Sequence, residues 1–234
     1  MIELLLKMQE EIRDETRNKV GDRITSWNEH YNNWIDLLGP VIMDSTKRNS
    51  ENSMVILRFI QLNRKIPWLL KNTIEGDYHQ VIRELRFILE SMIQAYYLDM
   101  EYQESDIERK LEIVKKSEKD SYGSRLINKL SINHKEEIKE LYSTLSKYTH
   151  SSYKELESIL RGGKVGLSVA SYFDEELFNQ CEVLTHRVMD VVYVIILNRF
   201  PQTKNTLEEN QLLLKSLEDS QCKITLDYLR LGNK

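Results

Sequence analysis

Apolar and polar positions over residues 78–103 recur at intervals of three and four, which predicts a long helix. Val81, Leu85, Ile88, Met92 and Tyr96 share one face of that helix, and Phe87 and Leu98 fall on another side. A helix apolar over so much of its circumference is expected to be largely buried. A narrow polar stripe runs between the faces: His79, Arg83, Arg86, Glu90, Gln94 and Tyr97. Steps of three and four residues keep that stripe on one side of the helix. Arg86 and Glu90 stand four apart, the spacing at which opposite charges pair along a helix.

The same periodicity predicts helices elsewhere. Residues 2–36 form a first segment, with an interruption near Gly21, and "LGP" at 38–40 is expected to end it. Residues 52–72 form a second helix, with Pro67 as a kink or boundary. "EGD" at 75–77 reads as a turn, with Asp77 as N-cap of the central helix. Residues 105–119 and 122–131 are shorter charged helices, and 134–160 a longer one. Residues 174–199 are capped by Asp174 and stopped by Pro201, and 203–231 form a last helix. No alternating strand pattern and no repeat interrupts this order.

Composition agrees with long helices, because eight Gly and three Pro in 234 residues leave few sites for sharp turns. A net charge of −4 exerts no general pull on nucleic acid or anionic membranes, although a local basic patch remains compatible with it. The N-terminal stretch lacks the basic start and cleavage site of a signal peptide. "VMDVVYVIIL" at 188–197 is too short to span a bilayer and reads as a core helix, so no membrane partner is expected. Cys181 and Cys222, 41 positions apart, show no zinc-ligand spacing and no disulfide framework. The expectation is a cytoplasmic protein with reduced, partly buried thiols, no metal and no cofactor. "GGKVG" at 162–166 lacks the phosphate-loop spacing and a preceding strand, and reads as a helix-ending turn.

One stretch stands apart. Six of the ten residues from Ser143 to Ser152 are Ser or Thr, inside a helical pattern that also carries His150. Ile138, Leu141, Leu145, Leu156 and Ile159 form its core face, with Thr149 and Ser152 among them. Small residues there allow a close helix crossing. Ser143, Ser146, His150 and Tyr153 line the edge and offer hydrogen bonds to a partner. A buried charge from the 78–100 helix would need such partners. Arg83, Arg86, Glu90, Ser146, His150 and Tyr153 therefore form either a polar network that fixes helix register or a functional site. His30, His79, His134 and His186 read as surface or structural residues.

"RELRFILESMIQAYYLD" at 83–99, followed by "LYSTLSKYTHSS" at 141–152, resembles the HEPN-like helical superfamily. The likeness is to a branch with an Arg-x-x-x-Glu-Ser helix and a later Tyr-x-x-Leu-Ser-x-x-x-His helix, and covers residues 75–200. It implies an all-α multi-helix bundle with a HEPN-like core at 73–200, an N-terminal helical segment at 1–72 and a C-terminal helix at 201–234. Many relatives in that superfamily are metal-independent ribonucleases of defence or toxin–antitoxin systems, and others are non-catalytic. Catalytic members carry Arg, four to six residues, then His. His150 matches, but the permitted Arg positions hold Ser143, Thr144 and Leu145, and Lys147 lies outside the spacing. If the chain were a nuclease, His150 would be its acid/base and Arg86 its phosphate ligand.

The resemblance thus points to a HEPN-like binding or regulatory module, oligomeric and RNA-associated. A ribonuclease using His150 and a purely structural helical assembly protein are the alternatives. A homodimer is expected independently. "IELLLKM" at 2–8 and "LLLKSL" at 212–217 hold more apolar side chains than one core-facing stripe accepts, and two-fold pairing is the commonest way to cover them.

Overall fold

A computed structural model describes residues 2–45, 50–117, 124–148, 172–201, 203–204, 211–219 and 222–231. Among them every regular element is helical, so the protein is all-α. The elements are α1 (Ile2–Ser45), α2 (Met54–Ile74), α3 (Tyr78–Glu101), α4 (Ile107–Ser117), α5 (Ser124–Lys129), α6 (Lys135–Ser146), α7 (Glu175–Arg199), α8 (Gln211–Asp219) and α9 (Lys223–Leu231), with a 3₁₀ turn at Ser50–Asn52. No helix among the described residues is long and apolar enough to cross a membrane.

α3 is the centre, with α2 and α7 as its most extensive neighbours and α5 and α6 against its other sides. Val81, Ile82, Leu85, Ile88, Leu89 and Met92 are sealed from solvent along it. Phe87 departs from the expectation of a largely buried helix, being 43% exposed. α7 supplies Val188, Val191, Val192 and Ile195 to the same core, where the short apolar run at 188–197 is indeed buried. The buried cluster runs without a break from Val20 to Leu229, so all three segments anticipated in the sequence contribute to it.

α1 and α2 run antiparallel, since Arg13 pairs with Glu75 at one end and Tyr31 meets Asn63 further along. The interruption near Gly21 takes the form of a kink at Val20 (φ −135°, ψ 25°). The expected break at 38–40 does not occur, and helix continues through Gly39 and Pro40 to Ser45. Proline forfeits one hydrogen bond, and a long helix can carry that loss. Pro67 likewise lies inside α2 instead of bounding it. Its missing N–H leaves the Asn63 carbonyl without a helical donor, and the Tyr31 hydroxyl donates to that carbonyl at 3.0 Å.

α2 closes as the sequence anticipates. Gly76 N–H donates to the Thr73 carbonyl at 3.2 Å and Asp77 N–H to the Asn72 carbonyl at 2.9 Å, the pairing of a Schellman turn. Gly76 has φ +76°, and a Cβ there would sit 2.5 Å from the Tyr172 carbonyl oxygen. Both the backbone sign and the space demand glycine. Asp174 caps α7 by accepting from Leu177 N–H at 2.9 Å.

The single helix expected over 203–231 is instead divided into α8 and α9, with Cys222 non-helical between them. Cys222 N–H donates to the Leu217 carbonyl at 2.9 Å, which turns the chain. α9 then begins on a carboxylate from α7: Asp190 accepts from Ile224 N–H at 2.9 Å, Thr225 N–H at 2.8 Å and the Thr225 hydroxyl at 2.6 Å. That long-range anchor fixes the boundary, and helical periodicity cannot reveal it. Neither cysteine is in a disulfide, and both are buried.

Candidate functional site

The polar stripe of α3 meets α6 at Tyr142. Arg86 Nη2 donates to Glu90 Oε1 at 3.2 Å and to the Tyr142 hydroxyl at 3.0 Å. Tyr142 in turn donates to Glu90 Oε1 at 2.8 Å, so the three groups close a triangle. The guanidinium carbon stands 5.3 Å from the Tyr142 ring centroid, a cation–π distance. Arg86 and Glu90 are each only 17% exposed, which strengthens the pairing relative to a surface ion pair. Burial raises the Tyr142 pKa, the neighbouring Glu90 adds to the effect, and Arg86 opposes it. The phenol is therefore a neutral hydrogen-bonding group near pH 7.

Tyr142 is the partner that the sequence reading left out of the site. It opens the Ser/Thr-rich stretch, one residue before the set assigned to the helix edge. The Ser146 hydroxyl donates to the Tyr142 carbonyl in its own helix at 2.7 Å, the back-bond that serines commonly make along a helix. Arg83 lies half-buried one turn before Arg86. Burial raises the Asp77 carboxyl nearby, and the Arg83 charge is among the influences that oppose it. His150, Tyr153 and the "GGKVG" loop lie outside the described residues.

A second polar centre has no counterpart in the sequence reading. Asp99, in the last turn of α3, accepts from Ser53 Oγ at 2.5 Å, Met54 N–H at 2.9 Å and Val55 N–H at 3.2 Å. Lys110 of α4 lies 2.9 Å from its Oδ1, and Arg199 of α7 lies 3.4 Å from Oδ2. Lys110 also donates to the Asn52 carbonyl at 2.7 Å. Asp99 and Lys110 are essentially inaccessible to solvent, so this is a structural junction closed to any ligand.

An open groove of about 500 Å³ lies on another side, lined by α1, α6, α7, α8 and α9 through Ser26, Glu137, Glu182, Val183, Asp219 and Lys223 among others. His186 lines that groove and also a small, mostly apolar cavity with Trp27, Ile66, Met189 and Leu217. Burial depresses the His186 pKa to about 4, with a smaller contribution from His30, whose ring centroid is 5.5 Å away. The imidazole is neutral at pH 7. Among the described residues no three His, Cys, Asp or Glu side chains gather in a way that could hold a metal ion.

Compared with known proteins, the chain matches no family model, no curated protein and no solved structure.

Proposed function

We propose that the chain is a HEPN-like helical module that binds or regulates, works as an oligomer in the cytoplasm, and takes RNA as its ligand class. The observation that supports this reading over nuclease activity is the closed triangle of Arg86, Glu90 and Tyr142. A phosphate ligand must offer an uncompensated cation to the scissile group. Arg86 already has a carboxylate beside it and a ring against it, so its charge is spent on holding α3 to α6. Of the positions permitted for the signature arginine, Ser143 is exposed, Thr144 half-buried and Leu145 buried, and none carries charge.

The test is incubation with fluorescent single-stranded RNA in EDTA, followed by anisotropy and gel analysis. The expected result is binding that weakens as salt rises, with the RNA intact. Cleavage that disappears in His150→Ala without a change in melting temperature would establish the ribonuclease alternative. Neither binding nor cleavage would leave the structural assembly reading.

A further inference from the structure

We propose that residues 2–11 of one copy dock across the outer face of α2 in a second copy, and that a two-fold dimer forms by reciprocal exchange of these arms. The inference rests on the oligomeric reading above and names its surfaces. Arg13 of α1 pairs with Glu75, just past the end of α2, so residues 2–11 continue beyond that end for about 15 Å at the helical rise. Three apolar side chains of the arm stand open: Ile2 is 73% exposed, Leu4 50% and Leu6 59%.

The receiving face is in the same chain. α2 turns Leu57, Ile60, Arg64, Pro67, Trp68 and Lys71 outward, at steps of three and four with one adjacent pair. Three of these are large apolar side chains, Leu57, Ile60 and Trp68, and Phe87 of α3 extends the patch beside Lys65. From Leu57 to Trp68 the stripe runs about 16 Å, close to the length of the arm. An amphipathic helix laid along such a stripe buries one face of each helix, turn after turn.

Charge selects the occupant. α2 holds four basic residues, Arg58, Arg64, Lys65 and Lys71, and no acidic one, with Lys65 paired to Glu84 and Lys71 to Glu75. Residues 2–11 hold Glu3, Glu10 and Glu11 against a single Lys7. Arg64 is exposed and has no ion pair among the described residues. An apolar arm with an acidic flank therefore meets an apolar stripe with a basic flank, the complementarity that fixes partner and register. A basic, aromatic-bearing face would also suit single-stranded nucleic acid. The complementary arm in the same chain favours a second copy.

The test uses light scattering over a tenfold dilution, with Leu4→Glu/Leu6→Glu and Ile60→Glu as variants. The wild type should run at twice the 27.8 kDa chain mass. Both variants should dissociate at least tenfold more readily while keeping the wild-type far-ultraviolet circular dichroism spectrum, because each change is at an exposed position. Leu6→Cys chains mixed with Ile60→Cys chains should form a disulfide-linked pair, the native cysteines being buried. A monomeric wild type would overturn both this proposal and the oligomeric reading. A dimer that survives Leu4→Glu/Leu6→Glu would overturn the arm alone. Cross-linking of Leu6→Cys only to itself would show arm–arm pairing instead. A monomer whose oligouridine binding is lost in Arg64→Glu would assign the face to nucleic acid.

Discussion

The ammonium of Lys110 lies 2.9 Å from the Asp99 carboxylate, with both side chains closed to water. Replacing Lys110 by Met removes the nearest cation and leaves the anion with Arg199, the Ser53 hydroxyl and the first amides of α2. Breaking a buried pair on one side costs about 3–5 kcal/mol. Urea denaturation should show that loss for Lys110→Met, and the double variant with Asp99→Asn should recover part of it. A loss under about 1 kcal/mol, the range of solvated surface pairs, would mean that water reaches the pair.

The Arg86 triangle makes a graded prediction. Tyr142→Phe deletes the hydroxyl that joins Arg86 and Glu90, and should cost about 1 kcal/mol. Arg86→Ala strips the half-buried Glu90 of its cation and should cost about 2 kcal/mol. In a double-mutant cycle the two effects should add to less than their sum, because they dismantle one network. Strict additivity would show that Tyr142 and Arg86 act separately.

Tyr31 and Pro67 should be coupled although they do not bond to each other. Tyr31→Phe leaves the Asn63 carbonyl without its donor, at a cost of about 1–2 kcal/mol. Pro67→Ala restores an N–H at the helical position for that carbonyl. Tyr31→Phe should therefore cost markedly less in the Pro67→Ala background. Equal costs in both backgrounds, by thermal melts, would break the link.

His186 gives the fold an acid sensitivity of stated sign. Burial lowers its pKa to about 4 in the folded state, against 6.5 for an exposed histidine. Between those values the unfolded chain binds the extra proton, so stability is fully present above about pH 6.5 and is lost as pH falls toward 4. A displacement of that size corresponds to about 3 kcal/mol. His30, also depressed by burial, acts in the same direction. Urea midpoints across this window should fall less steeply in His186→Phe than in the wild type. Parallel profiles would show that His186 is hydrated in the fold.

The parts legible in the sequence are those written in neighbouring positions. The core face of α3, the Arg86–Glu90 spacing, the 75–77 turn and the Asp174 cap all lie within a few residues of their partners. Asp99 was invisible because its partners lie 46, 11 and 100 positions away, and a lone acid at the end of an apolar helix resembles a solvated terminus. Tyr142 stands in the Tyr-x-x-Leu-Ser-x-x-x-His motif, but its partners Arg86 and Glu90 lie 56 and 52 positions away and leave no mark in local spacing. Pro40 and Pro67 were given more power to end helices than one missing N–H possesses. Phe87 broke the forecast of a buried helix because its side of α3 faces outward beside Lys65 of α2.

Asp99 and Asp190 share a role that bears on how the chain matures. Each sits in one helix and receives the first amides of another: Met54 and Val55 of α2 in one case, Ile224 and Thr225 near the start of α9 in the other. A helix begun on a borrowed carboxylate cannot finish its first turn by local folding. As isolated peptides, α2 and α9 should fray at their starts, and each should tighten only when its donor helix docks. The donor helices are penalised in the same way, since the buried acids of α3 and α7 each lack two of their hydrogen-bond donors until those amides arrive. Partly assembled states are thereby penalised from both sides, and the chain is biased toward gaining its helices together.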